Sequence, residues 1–139
     1  MINYKDLMIG NWVYSSEKTK FPMRVVNIGE DYCYLDFEGN EGDVFECKDK
    51  DMMPIEVTDK LFLDNGFEAS DYPNEEGNVI YEKEADNYCL FICKSKGKCF
   101  CEIENYKNSE VGNFYFQYLH ELQNGIRLIT KSDLEIKEL

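Results

Sequence analysis

Apolar and polar residues alternate with a period of two along most of this chain, and the period changes at two places. The alternation is cleanest at residues 32–37, with Cys33, Leu35 and Phe37 on one face and Tyr32, Tyr34 and Asp36 on the other. Residues 12–13, 23–28 and 44–47 read as further short strands. Gly10 and Asn11, Gly29 to Asp31, and Gly39, Asn40 and Gly42 supply the turns between them. Short strands with tight turns in so few residues predict an SH3-like small barrel or a strongly bent sheet over residues 1–57.

The first change of period falls at residues 58–67. Thr58 and Asp59 carry side-chain oxygens that can take an orphan amide at a helix start. Leu61, Phe62 and Leu63 follow. Gly66 suits the left-handed residue that closes a helix, and Phe67 can fold back on Phe62. Such a helix has only about two turns, too few to be stable without tertiary packing. Strands then resume at residues 79–82, 88–93 and 98–106, the last two joined through Lys94 to Gly97 as a hairpin, with a short strand at residues 114–116.

The second change comes near the C-terminal end. Tyr115, Leu119, Leu122, Ile126 and Ile129 recur at spacings of four and three, the apolar stripe of a helix over residues 117–129. Gly125 inside it costs about 1 kcal/mol relative to alanine, so a close packing contact or a kink is expected there. Leu134 and Ile136 read as a terminal strand or a frayed tail. The fold class is therefore β-rich α+β. Residues 58–139 hold the linking helix, an antiparallel sheet and one amphipathic helix, as a second part or as one domain continuous with residues 1–57.

Charge narrows the partners. The chain of 139 residues has 28 Asp and Glu against 15 Lys and Arg, a formal net charge of −13. That balance opposes direct binding to nucleic-acid phosphates and to anionic membranes, and favours cations or a basic protein partner. The acids concentrate in residues 36–51 and 68–86, the latter including Glu75 and Glu76. As solvated loops and sheet edges they resist aggregation; as a face they recruit a partner. The first residues have no basic or apolar region of a signal peptide. No run approaches the roughly 18 apolar residues of a membrane helix. The expectation is a cytoplasmic protein whose cysteines are free thiols.

Candidate chemistry is sparse. Cys89, Cys93, Cys99 and Cys101 lie on the expected hairpin, each pair on one face of its strand. Together they could surround zinc, but their spacings are not those of paired zinc knuckles. The simpler reading makes them small buried hydrophobes on an inner face with Phe91 and Ile103. His120 is the single histidine. With Asn124 one turn on, it reads as a partly buried imidazole on a polar helix stripe, with no serine or cysteine placed to be its nucleophile. Asp36, Glu38 and Asn40 have calcium-loop spacing, but Glu41 stands where glycine is needed. No phosphate-binding loop is present, and the many acids allow no assignment of a glycosidase pair. No catalytic, cofactor or metal residue is therefore assigned. If Cys33 and Leu35 point inward, Tyr32 and Tyr34 point outward near Trp12, an aromatic patch with an acidic rim suited to a peptide.

Three stretches carry a resemblance: residues 7–13 (LMIGNWV), 54–67 (PIEVTDKLFLDNGF) and 118–128 (YLHELQNGIRL). In them the chain resembles a family of small uncharacterised proteins encoded by phages, prophages and mobile elements of gut bacteria. His120, Leu122, Gln123, Asn124 and Leu128 carry the most distinctive part, while Gly125 stands where a bulkier residue is usual. The resemblance implies a two-part β-rich fold and an accessory role in a mobile element; the family carries no established activity, and the resemblance implies nothing about catalysis. Three functions follow as expectations. The first is a non-enzymatic protein-interaction module with a surface drawn from Trp12, Tyr32, Tyr34, Glu75, Glu76, His120 and Asn124. The second is an acidic nucleic-acid mimic that inhibits a host DNA-binding protein. The third is a small enzyme or metal protein using His120 and the cysteine hairpin.

Overall fold

A computed structural model describes residues 1–37, 44–95 and 97–139 of the chain. The expected turn at Gly39, Asn40 and Gly42, the calcium-loop positions Glu38, Asn40 and Glu41, and Lys96 in the hairpin turn lie outside the described residues. The fold is β-rich α+β: a four-stranded antiparallel sheet, a short helix, a five-stranded antiparallel sheet and a C-terminal helix. The chain forms two compact units, Met1–Glu56 with Tyr118–Asn124, and Val57–Gln117 with Gly125–Leu139.

In the first unit a 3₁₀ turn at Tyr4–Asp6 precedes strands β1 (Trp12–Tyr14), β2 (Pro22–Ile28), β3 (Tyr32–Asp36) and β4 (Phe45–Lys48), paired in that order. The register aligns Val25 with Leu35 and Cys33 with Cys47, and these residues enclose the core with Val13, Met23 and Met52. Phe37 is a correction to the expected inward face. The strand ends at Asp36, and Phe37 stays 39% exposed, edge-on to Phe21 at 5.5 Å between centroids.

The start of helix α2 (Leu119–Thr130) also belongs to this unit. A division of the chain at residue 57 assigns all of α2 to the second part; hydrogen bonds explain why its first half belongs with β1. The Gln123 side chain accepts from the Trp12 amide at 3.0 Å and donates to the Gly10 carbonyl at 3.2 Å. Asn124 accepts from the buried Asn11 side chain at 2.8 Å and donates to the Asp6 carbonyl at 2.9 Å. The stretches at residues 7–13 and 118–124 thus meet through paired amides, each group satisfying another that burial would otherwise leave unpaired.

The second unit begins with α1 (Asp59–Asp64). Thr58 Oγ1 accepts from the Leu61 amide at 3.1 Å, the N-cap that the sequence predicts. At the other end Gly66 has φ +86°, the Phe67 amide donates to the Phe62 carbonyl at 3.0 Å, and the two rings stand 5.4 Å apart. This is the expected left-handed closure with its hydrophobic contact.

Strands β5 (Glu68–Ala69), β6 (Ile80–Ala85), β7 (Tyr88–Ser95), β8 (Lys98–Asn105) and β9 (Glu110–Phe116) follow as a meander. β5 has only two residues and gives no periodic signal. The inner face carries Tyr81, Leu90, Ile92, Cys99, Cys101 and Ile103, all buried. Helix α1 covers it at β6, where Phe62 lies 5.1 Å from the Tyr81 ring. The second half of α2 covers it at β9. Gly125 faces the Phe114 ring there, and Gly112 leaves room for Ile129. Residues 134 and 136 form no strand. Leu134 is buried, and the Asn65 side-chain amide grips the backbone of Lys137 and Glu138.

Candidate interaction surface

The five-stranded sheet leaves its other face outward. Register decides its composition. Glu82 sits opposite Glu68 on one side and Phe91 on the other; Phe91 opposes Glu102, and Glu102 opposes Asn113. The next row runs Glu84, Cys89, Glu104, Glu110. Residues directly opposite in a sheet share a face, so these glutamates form one array. Phe100 and Tyr115 flank it, their rings 4.9 Å apart, with Tyr115 71% exposed. Lys98 enters this face only at the hairpin end.

None of Glu68, Glu82, Glu84, Glu102 and Glu104 forms an ion pair among the described residues. Partial burial first, then the charges of Glu110 and Glu104, raise the Glu102 carboxyl above its ordinary range. The array is thus crowded with like charge, and a cation placed over it relieves that repulsion. A groove of about 490 Å³ opens at the β5 end, lined by Gly66, Glu68, Glu82, Glu84, Cys89 and Phe91 among others.

The residues proposed from sequence fall in both units. Trp12, Tyr32 and Tyr34 share the outer face of the first sheet, with Arg24 and Asp36 in the row of Trp12 and with Glu46 beside Tyr34. All three rings are half-buried. Tyr32 and Tyr34 meet edge-on at 5.5 Å, and Glu46 raises the Tyr34 phenol. Glu75 and Glu76 lie in the exposed turn before β6. Glu76 accepts from the Ser95 hydroxyl at 3.4 Å, which puts it at the hairpin end of the outer face, by the row of Lys98 and beyond Cys93 and Phe100 from the glutamates. Asn124 spends its amide on Asn11 and Asp6, as described, and presents little to a partner.

His120 is 4% exposed and stacks on Tyr118, with ring planes 9° apart. Its buried Nδ1 has no hydrogen-bond partner among the described residues. Burial lowers its proton affinity, and the nearby Glu121 and Asp6 offset part of that effect. The sign of the pH effect follows. The unfolded chain takes up a proton near pH 6.5, whereas the folded chain does so only at lower pH. Stability should therefore fall as pH drops below about 6.5, with a slope of at most about 1.4 kcal/mol per unit. Urea unfolding of wild type and His120→Phe between pH 7 and 5 checks this. Both are compared in a Glu102→Gln background, because the raised Glu102 acts in the opposite sense. Equal slopes in the two would refute it.

The cysteine hairpin is a second correction. Ile92 opposes Cys101 and Lys94 opposes Cys99, while Cys93 opposes Phe100 and Cys89 opposes Glu104. Cys99 and Cys101 therefore lie on the inner face and Cys89 and Cys93 on the outer one. Ile103 and Phe91 divide in the same way. Four thiols do not converge, because an antiparallel hairpin pairs residues whose numbers sum to a constant, and here that constant pairs odd with even. Burial pushes the Cys101 thiol up to about 12, so it stays a protonated core group. The glutamate array was not assembled from the sequence. Its signal is the alternate spacing of Glu82 with Glu84 and of Glu102 with Glu104.

Comparison with known proteins finds no family model, curated protein or solved structure that matches the chain. No helix among the described residues is long and apolar enough to cross a membrane.

Proposed function

We propose that this chain is a non-enzymatic protein-interaction module, an accessory protein of a phage or mobile element, that docks a basic protein partner on the outer face of its second sheet. The observation that supports this is the array of unpaired glutamates on one face, interleaved with Phe91, Phe100 and Tyr115. Carboxylates attract and orient the partner over a distance, and the rings supply contact area that excludes water.

The test is binary affinity with a partner captured from host lysate at low salt. Replacing Glu82, Glu84, Glu102 and Glu104 with glutamine should weaken binding roughly tenfold or more and flatten its salt dependence. Trp12→Ala, on the other sheet, should change little. Capture of nothing above background at low salt counts against the proposal.

One observation favours a second reading, an acidic mimic of nucleic acid. Glutamates two residues apart on a strand repeat about every 6.6 Å along one face, a regular line of negative charge. In that case duplex DNA would compete with the module for the partner. The aromatic rings between the carboxylates favour the first reading, since a phosphate backbone has no counterpart to them.

A further inference from the structure

We propose that β9 is an acceptor edge for an added β-strand, and that its occupant is an extended segment of a partner with lysine or arginine at alternate positions. This rests on the reading of the outer face as a surface for a basic protein, and it specifies how that surface is engaged.

Ladder alternation carries the argument. Ser95 and Lys98 close the β7–β8 hairpin, so Lys98, Phe100, Glu102 and Glu104 direct their backbone groups at β7. Cys99, Cys101 and Ile103 then direct theirs at β9, as the Asn105 amide does in donating to the Ser109 carbonyl at 2.9 Å. Their partners Phe116, Phe114 and Gly112 use their N–H and C=O groups on β8. Asn113 and Tyr115 must turn theirs the other way. Among the described residues no strand lies on that side and no backbone group bonds to either of them. Both residues are exposed.

Native edges are usually blunted by charged residues, above all lysine, by proline, by bulges or by extreme shortness, and in β9 the charge of Glu110 and the bulge beside it guard only the first end. β9 runs for seven residues and contains no lysine and no proline. The register shift opposite Ile103 and Glu104 ends its regular pairing on one side. What remains is a slot for a short strand, offering the N–H and C=O of Asn113 and Tyr115.

Charge selects the occupant. In an antiparallel addition, residues bonded to Asn113 and Tyr115 share their face, the outer one. A residue opposite Asn113 extends the row of Glu102 and Glu82, and its neighbour on the same face approaches Glu110. Lysine or arginine there meets carboxylates that have no cation of their own. The alternate residues point to the other face, beside Phe114 and Gly112, and suit valine or threonine. A second copy of this chain fits less well, because its net charge of −13 opposes self-association.

The probe is a synthetic eight-residue peptide of alternating lysine and valine, measured by calorimetry and by amide hydrogen exchange on the intact chain at low ionic strength. Binding should slow exchange at Asn113 and Tyr115. Methylating the lysine backbone nitrogens, which face β9, should weaken binding roughly tenfold or more. Methylating the valine nitrogens should not. Asn113→Pro removes one edge N–H without touching a bond to β8, and should weaken binding to a similar extent. The methylated peptides decide the matter even if that variant folds poorly. Equal binding by both methylated peptides without amide protection, still weakened by the glutamate-to-glutamine replacements, overturns strand addition and leaves the outer-face reading standing. No binding by any of the peptides overturns both. A dimer of this chain that protects the same amides overturns the assignment of a basic occupant.

Discussion

Asn65→Leu is expected to lower the unfolding free energy by about 3 kcal/mol, the largest effect of any single substitution considered. Asn65 is 4% exposed, and every hydrogen-bonding valence of its side chain is used. Its Nδ2 donates to the carbonyls of Leu61 at 2.8 Å and Glu138 at 2.7 Å. Its Oδ1 accepts from the amides of Lys137 at 2.7 Å and Glu138 at 3.0 Å. Its own carbonyl, at the end of α1, accepts from Lys83 Nζ at 2.7 Å. The amide thus acts as a rung of backbone between the end of α1 and the segment after α2. Leucine keeps the branched four-atom outline, though it is bulkier, and removes all four side-chain bonds. At about 1 kcal/mol each the sum is near 4, less what is recovered as the segment at residues 137–138 meets water. Urea unfolding measures the loss, and hydrogen exchange at Lys137 and Glu138 should accelerate with it. Asn65→Asp keeps both acceptors but sets a buried carboxylate against the carbonyls of Leu61 and Glu138, so it should cost about as much as leucine at neutral pH. A loss under about 1 kcal/mol with unchanged exchange would contradict the account.

Gly125→Ala is the second large effect, and its sign is diagnostic. In a free helix the change stabilises by about 1 kcal/mol. Here a Cβ at residue 125 would stand 2.3 Å from two carbons of the Phe114 ring. That half-buried ring lies against α2 with Phe116 at 5.9 Å between centroids, so it must shift to admit a Cβ. Overpacking of this kind costs roughly 1–3 kcal/mol, and the net expectation is a loss of about 1–2. Phe114→Leu shortens the obstacle. In that background Gly125→Ala should become neutral or stabilising, and a double-mutant cycle of thermal or urea unfolding reads the coupling. Stabilisation by Gly125→Ala in the wild-type chain would show that the ring yields freely.

These contacts also mark where reading the sequence succeeds. The α1 caps were legible because each depends on residues within one turn: Thr58 reaches the Leu61 amide, and Gly66 and Phe67 close on Phe62. The close approach at Gly125 was legible as a need, since glycine inside a periodic stripe calls for a reason, but its partner Phe114 was not. The alternation at residues 32–35 identified Cys33 and Leu35 as core. It failed at Phe37, one residue past the strand end, where pleat direction no longer constrains the side chain. The hairpin cysteines failed for a related cause. Face membership within one strand follows from period two, but the relation between strands depends on hairpin register, and a shift of one residue exchanges the faces.

The sequence alone determined the β-rich α+β class, the positions of both helices, the acidic balance and the apolar stripe of α2 from Leu119 onward; Tyr115, read as the first residue of that stripe, lies instead in β9 and is 71% exposed, because the strand continues to Phe116. Each is a local pattern or a sum over composition, and neither requires knowing what lies across from a residue. Tertiary structure alone decided that Gln123 and Asn124 serve β1, that Asn65 holds a segment far along the chain, and that the glutamates of β6 and β8 share one uncovered face ending at an open edge. Those facts depend on pairing between distant residues, where register and the competition for buried hydrogen bonds fix the neighbours that local preference leaves open.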